Sequence, residues 1–169
     1  MKELILGGVR SGKSRLAEEH ALASGLAVTL IATATADDEE MRQRIRLHQQ
    51  RRPSAWTLVE EPLALAAALR AHAAPYRCLL VDCLTLWLTN LLCSADQRRL
   101  QTERDALLAA LPGLPGHIIL VGNETNMGIM PPGELTRRYC DEAGLLHQEL
   151  ARRCNHVVLT VAGLPLILK

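Results

Sequence analysis

A mostly parallel α/β sheet flanked by helices is the fold class this sequence predicts. Short β-rich runs alternate with longer helical patterns along the whole chain. A glycine-rich loop stands between the first apolar run and the first helical pattern, and a second apolar run, 78–81, ends in Asp82.

Taken in order, residues 4–6 form a first strand that closes at Gly7 and Gly8. A helix follows over 13–23, then a strand over 28–32 set off by Ser24 and Gly25. The acidic run Asp37-Asp38-Glu39-Glu40 opens a second helix, where negative charge meets the positive end of the helix dipole. That helix carries Arg42, Arg44, Arg46, His48, Arg51 and Arg52 and stops at Pro53. Residues 62–73 are Ala/Leu-rich and helical, with Pro62 in the first turn. The run 78–81 reads as a buried strand, and 84–92 and 95–111 as helices. A turn over 112–116 leads to a strand over 117–121 and on to Gly122-Asn123-Glu124. Residues 127–133 read as an irregular loop, 134–153 as a long helix, 156–161 as a strand and 165–168 as a terminal edge strand. With no repeat, linker or low-complexity tract, one nucleotide-binding catalytic domain over 1–169 is expected.

Composition narrows the function classes. Hydrophobic residues make up 49% and charged residues 22%, as in ordinary globular chains. A formal net charge of +1 does not suit a general polyanion binder. Two Trp, two Tyr and no Phe leave little for base-stacking platforms, so nucleic acid is not an expected partner. The 5 cysteines (Cys78, Cys83, Cys93, Cys140 and Cys154) form no CxxC pair and read as reduced cytosolic thiols. The opening Met-Lys-Glu runs directly into a strand, unlike a signal peptide. The longest apolar stretches, 21–36 and 79–93, fall short of the ~18–20 residues that span a bilayer. A cytoplasmic location is expected.

Gly7-Gly8-Val9-Arg10-Ser11-Gly12-Lys13-Ser14 matches G-x-x-x-x-G-K-[ST] in full, between a strand and a helix. Glycines let such a loop curl its N–H groups inward around phosphate oxygens, and the helix N-terminus adds partial positive charge. Lys13 would reach the β- and γ-phosphates, and the Ser14 hydroxyl would ligate Mg²⁺. Arg10 and Ser11 face either phosphate or solvent. Asp82, at the end of its apolar run, can hold the same Mg²⁺ opposite Ser14 or cap the following helix, and the two roles are compatible. These residues predict a P-loop NTPase that binds a nucleoside triphosphate with Mg²⁺.

His48 is a second candidate. On a helix, Arg44 lies one turn before it, and Arg51 and Arg52 one turn after. Clustered guanidinium groups disfavour the imidazolium and leave a neutral ring that can act as a nucleophile, with a phosphate held alongside. A basic surface helix with one incidental histidine is the alternative at this point. The other histidines, His20, His72, His117, His147 and His156, read as structural or surface residues.

In these residues the chain resembles the bifunctional adenosylcobinamide kinase / adenosylcobinamide-phosphate guanylyltransferase family of cobalamin biosynthesis. The resemblance runs end to end. It rests on the loop 7–14, Ile31-Ala32-Thr33, the acidic run 37–41, Arg44-Ile45-x-x-His48-x-x-x-Arg52-Pro53, Trp56 and Glu60. It continues through Val81-Asp82-Cys83-Leu84-Thr85, Thr89-Asn90-Leu91-Leu92, Asn123-Glu124, Met127-Gly128-Ile129-x-Pro131 and Val161-x-Gly163-x-Pro165. Asn126 stands in place of a glycine, and His147 in place of an asparagine.

The resemblance implies a RecA-like P-loop core and a homotrimer with sites near subunit boundaries. It implies phosphorylation of the aminopropanol hydroxyl of adenosylcobinamide by ATP or GTP, then GMP transfer from GTP through a GMP-histidine intermediate. His48 corresponds to the guanylylated histidine. Nucleotide contacts would fall on Gly7, Gly8, Val9, Arg10, Ser11, Gly12, Lys13 and Ser14, on Ala32, Thr33 and Ala34, on Gln49, Gln50, Arg51 and Arg52, and on Glu60 and Asp82. A P-loop small-molecule kinase without guanylyl transfer is the competing class. A GTP-switch module is a third, but the segment Asn123-Glu124-Thr125-Asn126 lacks the lysine and aspartate of Asn-Lys-x-Asp.

Overall fold

The computed structural model describes residues 1–35, 53–96 and 98–169. The expected second helix, with His48, Gln49, Gln50, Arg51 and Arg52, lies outside the described residues.

Among the described residues, strands β1 (Lys2–Gly7), β2 (Ala27–Ala32), β3 (Thr57–Glu60), β4 (Arg77–Asp82), β5 (His117–Asn123), β6 (His156–Val161) and β7 (Leu164–Ile167) form a 7-stranded sheet. The order is β3-β2-β4-β5-β1-β6-β7; every pairing is parallel except β6 with β7, which are antiparallel. The central strands are apolar on both faces, as a covered parallel sheet requires; Leu4 and Ile5 are neighbours on opposite faces and both fully buried.

Helix α1 (Lys13–Ala23) covers one face, packing Ala17 and Ala21 on Ile5, Leu80, Ile119 and Val121. The other face is covered by α2 (Leu65–His72), α3 (Leu84–Leu92), α4 (Arg99–Ala110) and α5 (Glu134–Arg153). Trp87 anchors this second layer: its side chain is fully buried and its indole N–H donates to the Leu63 carbonyl at 2.8 Å.

Several boundaries differ from the sequence expectation. Strand β3 was not foreseen; it is a short edge strand with mostly exposed residues and hence little hydrophobic signal. Helix α2 begins at Leu65 rather than Pro62, because the Glu61 carboxylate accepts the N–H groups of Leu63 and Ala64 and turns the chain first. Helix α4 begins at Arg99 rather than 95, after an Asp96 carboxylate accepts the Arg98 N–H. Its end tightens into a 3₁₀ turn over Leu111–Gly113 where a simple turn was expected. Strand β5 runs two residues past 121, to Asn123, because it stays paired with β1 through Gly7.

Candidate active site

In a parallel sheet all strand ends of one sense lie on one edge, and the predicted residues fall on the carboxyl edge. Glu60, Ala32 and Asp82 stand in one register row across β3, β2 and β4. That row continues through Val121 on β5 to Ile5 on β1, two residues before the loop at Gly7. Asp82 is therefore about two strand spacings, roughly 10 Å, from the β1 line on one side and from the Glu60 line on the other.

The loop is braced from the far end of the chain. Gly12 has φ 99, the left-handed region that glycine occupies without a Cβ penalty, and caps α1. A Cβ on Gly12 would meet the Gly163 Cα at 3.1 Å, and the Gly163 N–H donates to the Ser11 carbonyl at 2.9 Å. A Cβ on Gly7 would lie 2.2 Å from Thr160 Oγ1 and 2.4 Å from Ser11 Oγ, so only glycine fits. Thr160 Oγ1 donates to the Leu6 carbonyl at 3.1 Å and lies 2.7 Å from Ser11 Oγ. Ser11 is thus a buried brace rather than a solvent-facing residue. Gly8, Val9 and Arg10 are exposed, and Gly12, Lys13 and Ser14 are half-buried.

Lys13 Nζ donates to the Gly8 carbonyl at 2.9 Å. Burial pushes its pKa down, opposed by the nearby Cys83 and Asp82. The Glu124 N–H, just past β5, donates to the Gly7 carbonyl at 3.0 Å and closes the loop's first turn.

Thr33 ties the ends of β2 and β4 together. It is fully buried; its hydroxyl donates to the Cys83 carbonyl at 2.7 Å and accepts the Cys83 N–H at 3.0 Å. Its own N–H donates to the Asp82 carbonyl at 3.2 Å, and Asn90 Nδ2 donates to its carbonyl at 2.8 Å. Thr33 thus positions Asp82, while Ala32 and Ala34 beside it are half-buried and Glu60 is exposed. The sequence reading gives no role in the loop to Thr160, Gly163 or Glu124, and the structure adds all three to it.

A family model described as cobinamide kinase / cobinamide phosphate guanyltransferase matches residues 3–168. The chain belongs to that family. Among relatives of the cobinamide kinase / guanyltransferase family, the bifunctional adenosylcobalamin biosynthesis protein CobP of Pseudomonas aeruginosa is 64% identical over 169 residues, covering 100% of this chain and 98% of that protein. The bifunctional adenosylcobalamin biosynthesis protein CobU of Escherichia coli is 36% identical over 182 residues, with 100% of both chains covered. Among solved structures, the RadB recombinase covers 94% of this chain and 73% of its own at TM-score 0.51 and 16% identity. A protein of Pyrococcus horikoshii OT3 covers 99% of this chain and 85% of its own at TM-score 0.53 and 9% identity. At such identities the likeness shows the fold alone, a mostly parallel sheet flanked by helices. No helix among the described residues is long and apolar enough to cross a membrane.

Proposed function

We propose that this member of the family carries out both reactions at one edge of the sheet. It phosphorylates the aminopropanol hydroxyl of adenosylcobinamide with ATP or GTP, then transfers GMP from GTP onto that phosphate to give adenosylcobinamide-GDP. The observation that carries the reading is the braced loop of residues 7–14 ending in Lys13 and Ser14, with Asp82 on the same edge and felt electrostatically by Lys13.

The donor set suits Mg²⁺: a half-buried hydroxyl on Ser14 and a carboxylate on Asp82 are hard oxygen ligands that leave room for waters and phosphate oxygens. When bound, the ion would neutralise charge on the phosphates. The loop N–H groups hold the phosphate chain, and Lys13 leaves the Gly8 carbonyl to meet the β- and γ-phosphates. For the kinase step, the substrate hydroxyl oxygen bonds to the γ-phosphorus as its bond to the β–γ bridging oxygen breaks; the nucleoside diphosphate leaves and the hydroxyl proton passes to water. For the transferase step, a nitrogen of neutral His48 bonds to the α-phosphorus and pyrophosphate leaves, stabilised by Lys13. A corrinoid phosphate oxygen then displaces GMP from His48 and restores the free imidazole. Nucleotide contacts by Gly7, Gly8, Val9, Arg10, Ser11, Ala32, Ala34, Gln49, Gln50, Arg51, Arg52 and Glu60 belong to the same proposal. So do a homotrimer, which light scattering on a sizing column would test, and a cytoplasmic location.

The covalent step is tested by incubating the full chain with Mg²⁺ and GTP labelled at the α-phosphate. An acid-labile, alkali-stable label on the peptide carrying His48, absent in His48→Ala, is expected. A chain that binds GTP and phosphorylates cobinamide yet takes no label would instead be a P-loop kinase without guanylyl transfer.

A further inference from the structure

At the amino edge of the sheet, opposite the phosphate loop, the structure gathers three histidines around one carboxylate. Glu3 lies on the α1 face of β1, two residues before Ile5, and is fully buried. His156 is its direct register partner on β6, and His117 lies two residues before Ile119, its register partner on β5. His20, in the last turn of α1, reaches down from above. His20 Nδ1 lies 2.7 Å and His156 Nδ1 2.8 Å from the same oxygen, Glu3 Oε1. The rings of His20 and His156 are near-parallel, with centroids 6.2 Å apart and an interplanar angle of 16°. His117 Nε2 is 3.4 Å from the other oxygen, Oε2, and both of these atoms are buried without a hydrogen-bond partner.

Two features of this cluster go beyond what a hydrogen-bonded core needs. Buried polar atoms are nearly always hydrogen-bonded, yet Glu3 Oε2 and His117 Nε2, which face each other at the ion-pair distance of 3.4 Å, fall short of hydrogen-bond geometry. In addition, the donor atoms of Glu3, His20 and His156 all lie within 4.8 Å of one another and sit beside an open depression of about 650 Å³. Ligand atoms at about 2.0–2.1 Å from a tetrahedral ion are separated by about 3.3 Å, so small shifts of two ring nitrogens would admit one. Glu3 is the one carboxylate among the residues lining the depression, and the Met1 ammonium there is already engaged with the Gly116 carbonyl at 2.8 Å.

We propose that Glu3, His20 and His156 form a binding site for one first-row transition ion, with zinc the best match, separate from the nucleotide site. Two imidazoles and one carboxylate are the donors that such ions prefer, whereas Mg²⁺ and Ca²⁺ favour all-oxygen shells. The depression leaves a fourth position for water, and His117 supports the second oxygen of Glu3. An ion there pins the last turn of α1 to β1 and β6, at the far end of the helix whose first turn holds the phosphate loop. Its role is to fix α1 on the sheet.

The test uses the full chain carrying Cys93→Ser, stripped with a chelator and freed of nucleotide and Mg²⁺. Zinc is titrated in competition with a chromophoric chelator, and Co²⁺ is added separately to read its visible absorption. The comparison is a His20→Asn/His156→Asn double variant, in which the amide nitrogen stands where Nδ1 stood and keeps a donor for Glu3 without an imidazole. Circular dichroism of both proteins without metal establishes that both are folded. One zinc per chain is expected, together with a melting temperature that rises with zinc and a Co²⁺ spectrum of low coordination. In the double variant affinity falls by at least about 100-fold, the upper end of what loss of an outer-shell partner alone costs. Equal zinc binding by the two folded proteins, or no zinc held by the parent chain against the chelator, overturns the site and leaves a hydrogen-bonded cluster.

Discussion

Ser11 Oγ and Thr160 Oγ1 lie 2.7 Å apart although 149 residues separate them in the chain. Thr160 spends its proton on the Leu6 carbonyl, so Ser11 is the donor to Thr160. The first turn of the phosphate loop is thus pinned to β6, in the space a side chain on Gly7 would occupy. Thr160→Val keeps the shape and removes the hydroxyl, leaving the Ser11 hydroxyl and the Leu6 carbonyl without that partner. A stability loss of about 1–3 kcal/mol is expected, together with weaker nucleotide binding. Thermal unfolding and nucleotide titration measure the two. Unchanged nucleotide affinity would mean that the brace does not set the loop's shape.

The carboxyl edge of the sheet carries a second such device. The Thr33 hydroxyl satisfies both backbone groups of Cys83, next to Asp82. Thr33→Val strands those groups in a buried place, again at about 1–3 kcal/mol, and lets the end of β4 shift. Because Asp82 is proposed to hold Mg²⁺, the kcat of the kinase step should fall about tenfold or more and require higher Mg²⁺ for half-maximal rate. Thr33→Ser should restore both. A variant that loses stability but keeps its Mg²⁺ dependence would limit Thr33 to a purely structural role.

How much of this was legible in the sequence follows from the range of each interaction. The loop 7–14 and the helix after it are local, and the motif with its flanking strand located them. Asp82 was legible for the same reason, since it ends an apolar run. Thr160, Gly163 and Glu124 were not, because each acts on the loop from a distant strand end. The histidines His20, His117 and His156 looked unrelated in sequence because only parallel pairing of β1 with β5 and β6, with α1 folded over them, brings them to Glu3. The acidic-to-basic helix over 37–52 was read from charge pattern alone and lies outside the described residues.

The cysteines make a simpler test. Cys78 and Cys154 are buried, and burial pushes their thiols up to about 11. Burial also raises Cys83, with the Asp82 charge adding to it, and Cys140 is buried. Cys93 alone is exposed. Since the thiolate is the reactive form and needs access, the native protein should show one fast equivalent with an aromatic disulfide reagent near pH 8. Cys93→Ser should abolish it. Additional fast equivalents in the native state would show that the sheet opens more readily than its packing implies.

His147 offers a prediction in pH. Its side chain is buried on α5, with Nδ1 3.8 Å from Glu124 Oε2 and no hydrogen-bond partner. Burial lowers its pKa below the ordinary 6.5, and the Glu124 charge opposes this only in part. As pH falls through the ordinary value, the unfolded chain takes up a proton that the native chain resists. The unfolded state then binds more protons, so stability drops on acidification and is recovered as pH rises. Below the lowered native value both states are protonated and this penalty stops growing. Carboxylates titrate in the same experiment, so the difference between two proteins is the informative quantity. His147→Gln removes the titrating ring, and its melting temperature should fall less than the parent's between about pH 7.5 and pH 5. Parallel curves for the two proteins would mean that His147 takes its proton as easily in the fold as in the unfolded chain, with Glu124 cancelling the cost of burial.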